Sequence, residues 1–195
     1  FGIHEQWPDA ICVYMQGLPT ASKSDPKGEL PGWQKVSGDN ADRDLKFFDV
    51  VLRRLIRRQA VDEKRIYAAG FSNGGFFTFL LWAERANVLA AVAPIGAYAL
   101  PKLKNRIPKP CIHIAGEKDD VVEFERQQKT MESVRQLNGC DAEGHSWNKG
   151  MKLTALYYQS KSGTPVVCVV HPAGHEVPQQ AGRLVSRFFK ENPMP

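Results

Sequence analysis

Short apolar runs alternate along this chain with longer amphipathic stretches, a pattern that predicts strands and helices in turn. Residues 10–16, an almost unbroken apolar run, read as a strand. A long loop over 17–38 follows, carrying Pro19, Pro26, Pro31, Gly28 and Gly32. A helix is predicted over 41–59, because Leu45, Phe48, Leu52, Leu55 and Ile56 recur at helical spacing. Further strands are predicted over 65–69, 89–93 and 111–115, and helices over 73–85 and 123–137. Strands over 153–159 and 165–171 are joined by the short Gly-containing link 160–164. That link reads as a hairpin, with an antiparallel strand at the sheet edge. A helix over 178–191 closes the chain. This order predicts the α/β class: a mostly parallel sheet with helices on both faces, in three layers. No repeat, low-complexity tract or linker interrupts it, so residues 1–195 are expected to form one domain.

The chemistry enters with Gly70-Phe71-Ser72-Asn73-Gly74, set between the predicted strand 65–69 and the predicted helix 73–85. A G-x-S-x-G there is a nucleophile elbow, which exposes the serine oxygen on a strained strand-to-helix turn. Side chains in place of its glycines would be expected to collide where strand and helix approach. The helix N-terminus favours negative charge developing at the serine, and the Asn73 amide is the assignable oxyanion donor. An α/β-hydrolase brings its triad in the order Ser, acid, His. The strand 111–115 runs into Gly116-Glu117-Lys118-Asp119-Asp120, which places a carboxylate on the sheet edge where the elbow lies. Asp119 is preferred there to Asp120. The strand 165–171 runs into Pro172-Ala173-Gly174-His175, so His175 is the candidate base. Of the other histidines, His113 reads as a packed core residue, His171 ends a strand, and His145 sits in a polar loop within possible reach of substrate. His4 lies in too short a segment to interpret.

Two loops are candidate rims of the site. The 17–38 loop carries Trp33, which reads either as an aromatic wall for the substrate or as a pin holding the loop to the body. Residues 139–149 contain His145 and Trp147 and form the second candidate rim, with Trp147 as a substrate contact.

Charge narrows the partners. The net charge is +5, and its densest cluster is Arg53, Arg54, Arg57 and Arg58, continued by Lys64 and Arg65. The arginines fall on the polar face of the predicted helix 41–59, without aromatic interleaving, so nucleic-acid binding is not expected. No apolar run reaches the length of a membrane span, and no membrane partner is expected. Of the four cysteines, Cys12, Cys111 and Cys168 lie in strand-like runs and read as small core residues. No Cys/His spacing suggests a zinc site, and the chemistry calls for neither metal nor organic cofactor.

These segments together resemble the esterase family of polyhydroxybutyrate depolymerases and feruloyl esterases. The resemblance rests on Gly70 to Gly75 with Ala93-Pro94, on Ile112 to Gly116 leading to Asp119 and Val121-Val122, on Asn138-Gly139-Cys140, and on Gly174-His175 with Pro178. It implies a secreted or periplasmic serine esterase of the α/β-hydrolase fold. Its substrate would be an extracellular polyester or a plant-polysaccharide ester: hydroxyalkanoate, feruloyl or acetyl. The family's first strands, and a His-Gly loop giving one oxyanion amide, have no counterpart here, so an upstream part of the fold is expected to be absent. In many relatives the cysteine at position 140 pairs with one near position 160. Ser160 stands there, so that bridge is not expected. Two rivals share features of this reading. One is a serine peptidase of the prolyl-oligopeptidase type. The other is a catalytically dead hydrolase-fold binding module.

Overall fold

The computed structural model describes residues 1–22, 25–100, 106–148 and 152–195. In chain order its elements are α1 (Ile3–Gln6), β1 (Leu18–Pro19), β2 (Pro31–Gly32), α2 (Arg43–Arg58), β3 (Tyr67–Phe71), α3 (Asn73–Arg85), β4 (Ala91–Ile95) and β5 (Cys111–Gly116). Then follow α4 (Phe124–Leu137), β6 (His145–Ser146), β7 (Thr154–Tyr158), β8 (Val166–His171) and α5 (Ala181–Glu191).

The main sheet has the order β3-β4-β5-β8-β7-β6. Its first four strands are parallel, while β7 runs antiparallel to both β8 and β6. Strict alternation along the buried strands divides the core in two. Val92, Cys111, Ala115, Val166 and Cys168 face Leu45 and Phe48 of α2, the Phe76–Trp82 stretch of α3, and Met131 and Val134 of α4. Ala91, Ala93, Ile95, Ile112, Ile114, Val167 and Val169 face Leu184, Val185, Phe188 and Phe189 of α5. Helices thus cover both faces of a mostly parallel sheet, the α/β-hydrolase arrangement. Arg53, Arg54, Arg57 and Arg58 of α2 are exposed, opposite its buried Leu45 and Phe48.

Three expectations need correction. Residues 10–16 form no strand, and Ile11, Val13 and Tyr14 are exposed. An apolar pattern becomes a strand only where its backbone finds a ladder partner. Among the described residues no strand pairs with the outer side of β3. The segment instead anchors locally, with Tyr14 OH 2.7 Å from His4 Nδ1. Cys12 is accordingly half-buried rather than a core residue. The 17–38 loop carries a short pairing of its own. Its ends meet in the two-residue ladder of β1 and β2, so closely that a Cβ on Gly17 would lie 2.5 Å from the Gly32 carbonyl oxygen. The hairpin of β7 and β8 forms in register, but β7 is not the sheet edge, because β6 adds outside it. Lys23 and Ser24 of the first loop and Lys149 of the second lie outside the described residues.

Candidate active site

The C-terminal ends of β3, β5 and β8 deliver three side chains to one point. Ser72 follows β3 and adopts φ 53°, ψ −116°, a conformation that L-residues avoid. Its amide donates to the Ile95 carbonyl at 2.9 Å, and its carbonyl accepts from Phe76 at 3.0 Å, so the turn is held from β4 and from α3. The glycines around it differ in their need. A Cβ on Gly70 would run into the Gly74 carbonyl, and one on Gly75 would lie 2.6 Å from Ala97 Cβ and 2.8 Å from the Ile95 oxygen. A Cβ on Gly74 would meet open space. The expectation that both motif glycines avoid a collision therefore needs correction: it holds for Gly70 and fails for Gly74.

The loops after β5 and β8 are joined backbone to backbone. Glu117 N–H donates to His171 O at 2.8 Å, and Lys118 N–H to Ala173 O at 3.1 Å. A Cβ on Gly116 would strike the Ala173 and Gly174 carbonyls, so only glycine permits this approach. The join places His175 Nδ1 2.8 Å from Asp119 Oδ2, with His175 Nε2 2.8 Å from Ser72 Oγ. Asp119 Oδ1 accepts the Val121 and Val122 amides at 3.1 and 2.8 Å, and Oδ2 also accepts Gln127 Nε2 at 3.0 Å. With its carboxylate accepting on every side, Asp119 leaves Nδ1 of His175 to donate and Nε2 to face the serine hydroxyl. The Asp119 side chain is 1 % exposed and that of His175 15 %. Phe71 packs against the His175 ring at 4.7 Å between centroids. Asp120 is exposed.

Asn73 opens α3, where a first-turn N–H has no partner within its own helix. Its side chain is committed elsewhere: Nδ2 donates to the Trp33 carbonyl at 3.0 Å, and Oδ1 accepts the Trp33 amide at 2.6 Å. The Trp33 ring stacks with Phe77 at 5.1 Å and Phe47 at 6.5 Å, an arrangement that pins the loop to the body. Trp147 is not brought to Ser72. It follows β6, five strand spacings from β3, on the order of 24 Å away. Its ring packs against Phe188 and Arg187 of α5, which accounts for it as a core contact. His145 lies on β6 as well, equally far from Ser72. His113 is fully buried, and His171 is buried at the end of β8, where burial lowers its pKa.

Two contributors were not singled out from sequence. Phe71 carries no signal beyond its place in the motif. Gln127 does: it shares the buried stripe of α4 with Thr130, Met131 and Val134, and a polar residue on a core stripe asks for a partner.

A family model for the dienelactone hydrolase family matches residues 19–148, about two thirds of the chain, a span that includes Ser72 and Asp119. The chain belongs to the dienelactone hydrolase family. Among its relatives, feruloyl esterase D of Neurospora crassa is 30% identical over 159 residues, covering 80% of this chain and 53% of the relative. Feruloyl esterase B of Piromyces equi is 27% identical over 175 aligned positions, covering 78% of this chain and 32% of the relative. The chain thus spans about half of one relative and a third of the other. Among solved structures, acetyl xylan esterase from Aspergillus awamori superposes with a TM-score of 0.66 at 11% identity, covering 83% of this chain and 73% of that one. That likeness is one of fold.

Proposed function

We propose that this dienelactone hydrolase family member is a serine hydrolase of carboxylic esters, with Ser72 as nucleophile, His175 as base and then acid, and Asp119 orienting His175. The observation that carries this reading is the unbroken pair of 2.8 Å hydrogen bonds from Ser72 through His175 to Asp119. As Ser72 Oγ attacks the ester carbonyl, His175 Nε2 takes its proton. The imidazolium that forms is stabilised by Asp119. The carbonyl oxygen, now negative, accepts the Asn73 amide at the start of α3, where the helix dipole adds to the stabilisation. His175 passes the proton to the leaving alcohol, and the acyl group stays on Ser72. Water then gives a proton to His175 and attacks the acyl carbon, and His175 returns that proton to Ser72 Oγ as the acid leaves. Every proton moves through His175, so the steps balance without a cofactor.

The substrate is an extracellular polyester or a plant-polysaccharide ester, and a secreted or periplasmic location follows from such a substrate. That both relatives are feruloyl esterases favours a feruloyl ester over acetyl and hydroxyalkanoate esters. Residues 1–195 act as one catalytic domain. A fluorophosphonate should label Ser72, and Ser72→Ala should abolish labelling; labelling that persists in the variant would refute the assignment. Aryl acetate, feruloyl and hydroxybutyrate esters assayed side by side decide the substrate. Asp119→Asn should lower turnover on the order of 10³–10⁴-fold. Asp120→Asn should cost about tenfold at most, and reversed effects would move the orienting role to Asp120.

A further inference from the structure

Beneath the site the core holds two polar side chains that the steps above do not use. Gln127 on α4 is fully buried, and its Nε2 donates twice, to Asp119 Oδ2 at 3.0 Å and to the Val122 carbonyl at 2.6 Å. Two acceptors at one end fix which way the amide faces, because only the NH₂ group has two hydrogens to give. Its Oε1 therefore points elsewhere, and among the described residues it has no hydrogen-bond partner. His113 on β5 is also fully buried, and neither of its ring nitrogens has a partner among the described residues. The Gln127 side chain and the Ala97 backbone lie beside that ring, short of normal hydrogen-bond geometry. Phe79 meets the ring edge-on at 5.7 Å. Burial pushes the His113 pKa down to about 4, so near neutral pH the ring is uncharged and has one N–H to give.

A buried amide oxygen and a buried imidazole left unpaired cost free energy that apolar side chains of the same size would not. The pair makes physical sense if the amide performs a task and the imidazole supports it. We propose that Gln127 is a positioning residue for the triad. It holds Asp119 at the oxygen that receives the His175 Nδ1 proton, while His113 backs the amide by donating a ring N–H to Oε1. The proposal rests on reading Ser72, His175 and Asp119 as the triad.

The geometry shows what would be lost. Oδ1 of Asp119 is tied down by two backbone amides, whereas among the described residues Oδ2 is held by Gln127 and by His175 alone. His175 cannot orient the carboxylate that must orient it. Without Gln127, Asp119 is free to rock about its Oδ1 contacts, and Nε2 then mis-aims at Ser72 Oγ. Small misplacements at such a point are expensive in rate. Gln127 touches no substrate and acts only through Asp119.

Gln127→Met keeps the volume and removes the donor. In the full chain it should lower kcat about tenfold or more and leave KM within about twofold. Gln127→Leu carries the same expectation should the Met variant fold poorly. His113→Phe should give a smaller loss in the same direction. The double variant should lose no more than Gln127→Met alone, because His113 acts through the amide. A second readout does not depend on turnover: the NMR signal of the His175 Nδ1 proton should move in Gln127→Met and in His113→Phe. A folded Gln127→Met with unchanged kcat and an unmoved Nδ1 signal would overturn the proposal. Fully additive losses in the double variant would remove His113 from it. A wild-type Ser72 that resists phosphonylation would instead refute the esterase reading, while a moved Nδ1 signal would still support the hold of Gln127 on Asp119.

Discussion

Asn73 closes a two-bond ring on the backbone of Trp33, donating to its carbonyl at 3.0 Å and accepting its amide at 2.6 Å. The residue that follows the candidate nucleophile is thereby the latch of the 17–38 loop. Its backbone and its side chain serve different ends, and a side-chain substitution separates them. Asn73→Ala leaves both Trp33 backbone groups unpaired, a cost of about 1–3 kcal/mol. We expect a Tm lower by several degrees and faster proteolysis within residues 17–38. Fluorophosphonate labelling of Ser72 should persist within about tenfold, since the Asn73 amide is retained. Wild-type protease resistance in the variant would show that the stacking of Trp33 on Phe77 suffices to hold the loop.

The elbow glycines give a second separation. Gly70→Ala forces a Cβ into the Gly74 carbonyl, and the strand-to-helix turn has no slack to move it. Gly74→Ala places a Cβ in open space within the first turn of α3, where alanine is the better helix former by about 1 kcal/mol. Gly70→Ala should therefore fail to yield folded, labelled protein. Gly74→Ala should fold with unchanged or raised Tm and keep Ser72 reactive. Thermal melts paired with phosphonylation rates check both, and a collapse of Gly74→Ala would mean that the motif needs the second glycine for a reason other than space.

What could be read from the chain follows the same division between local pattern and partner. Strands β5 and β8 carry runs rich in Ile and Val, and their ends were legible within about a residue. Strands β3 and β4 begin and end two residues later than their patterns suggest. Gly70 and Phe71 pair with Pro94 and Ile95, and a glycine opposite a proline is strand only because the ladder continues there. The helix expected from residue 41 begins at Arg43, because Asn40, Ala41 and Asp42 take positive φ. The run at 10–16 has a clear strand pattern but no pairing neighbour among the described residues, which no local pattern reports. Ser72, Asp119 and His175 were legible because each follows a parallel strand, and parallel strands end on one edge. Trp147 misled for the complementary reason: its loop could be recognised, but its distance across the sheet depends on a strand order that periodicity does not contain. Gln127 went unremarked because glutamine on a helix usually faces water.

Acid stability should report on the buried histidines. His113 has a folded pKa of about 4 against an ordinary value of 6.5, lowered by burial, and burial lowers His171 in the same direction. Between those pH values the unfolded chain binds more protons than the folded one, so stability falls as pH falls. The contribution is fully present above about pH 6.5 and is lost progressively toward pH 4, at most about 3 kcal/mol for His113. Urea unfolding at pH 7.5 and pH 4.5 should show the loss in the wild-type protein and a flatter dependence in His113→Phe. Coincident slopes would exclude His113 as a titrating group in this window.

Cys140 stands directly opposite Ser160 in an antiparallel bridge, and this geometry carries a prediction about covalent chemistry. The flanking bond, from the Asp141 amide to the Gln159 carbonyl at 2.9 Å, marks the two as a non-hydrogen-bonded pair. Opposed residues of that kind have Cα atoms about 4.5 Å apart, within the range that a disulfide spans. Ser160→Cys should therefore form a disulfide with Cys140 on mild oxidation, closing a loop of about twenty residues. Closure of that size stabilises by about 3 kcal/mol relative to the reduced variant. The substitution has a cost, because Ser160 Oγ donates to the Asn138 carbonyl at 2.5 Å and lies within bonding reach of the Ser162 and Thr164 hydroxyls. The expected order of Tm is reduced variant below wild type, and oxidised variant at or above it. All four cysteines are free in the wild-type chain. The variant adds a fifth thiol and oxidation consumes two, so thiol titration under denaturing conditions should return three. Five titratable thiols after oxidation would show that the Cβ vectors at 140 and 160 diverge, and the pairing geometry would then belong to the backbone alone.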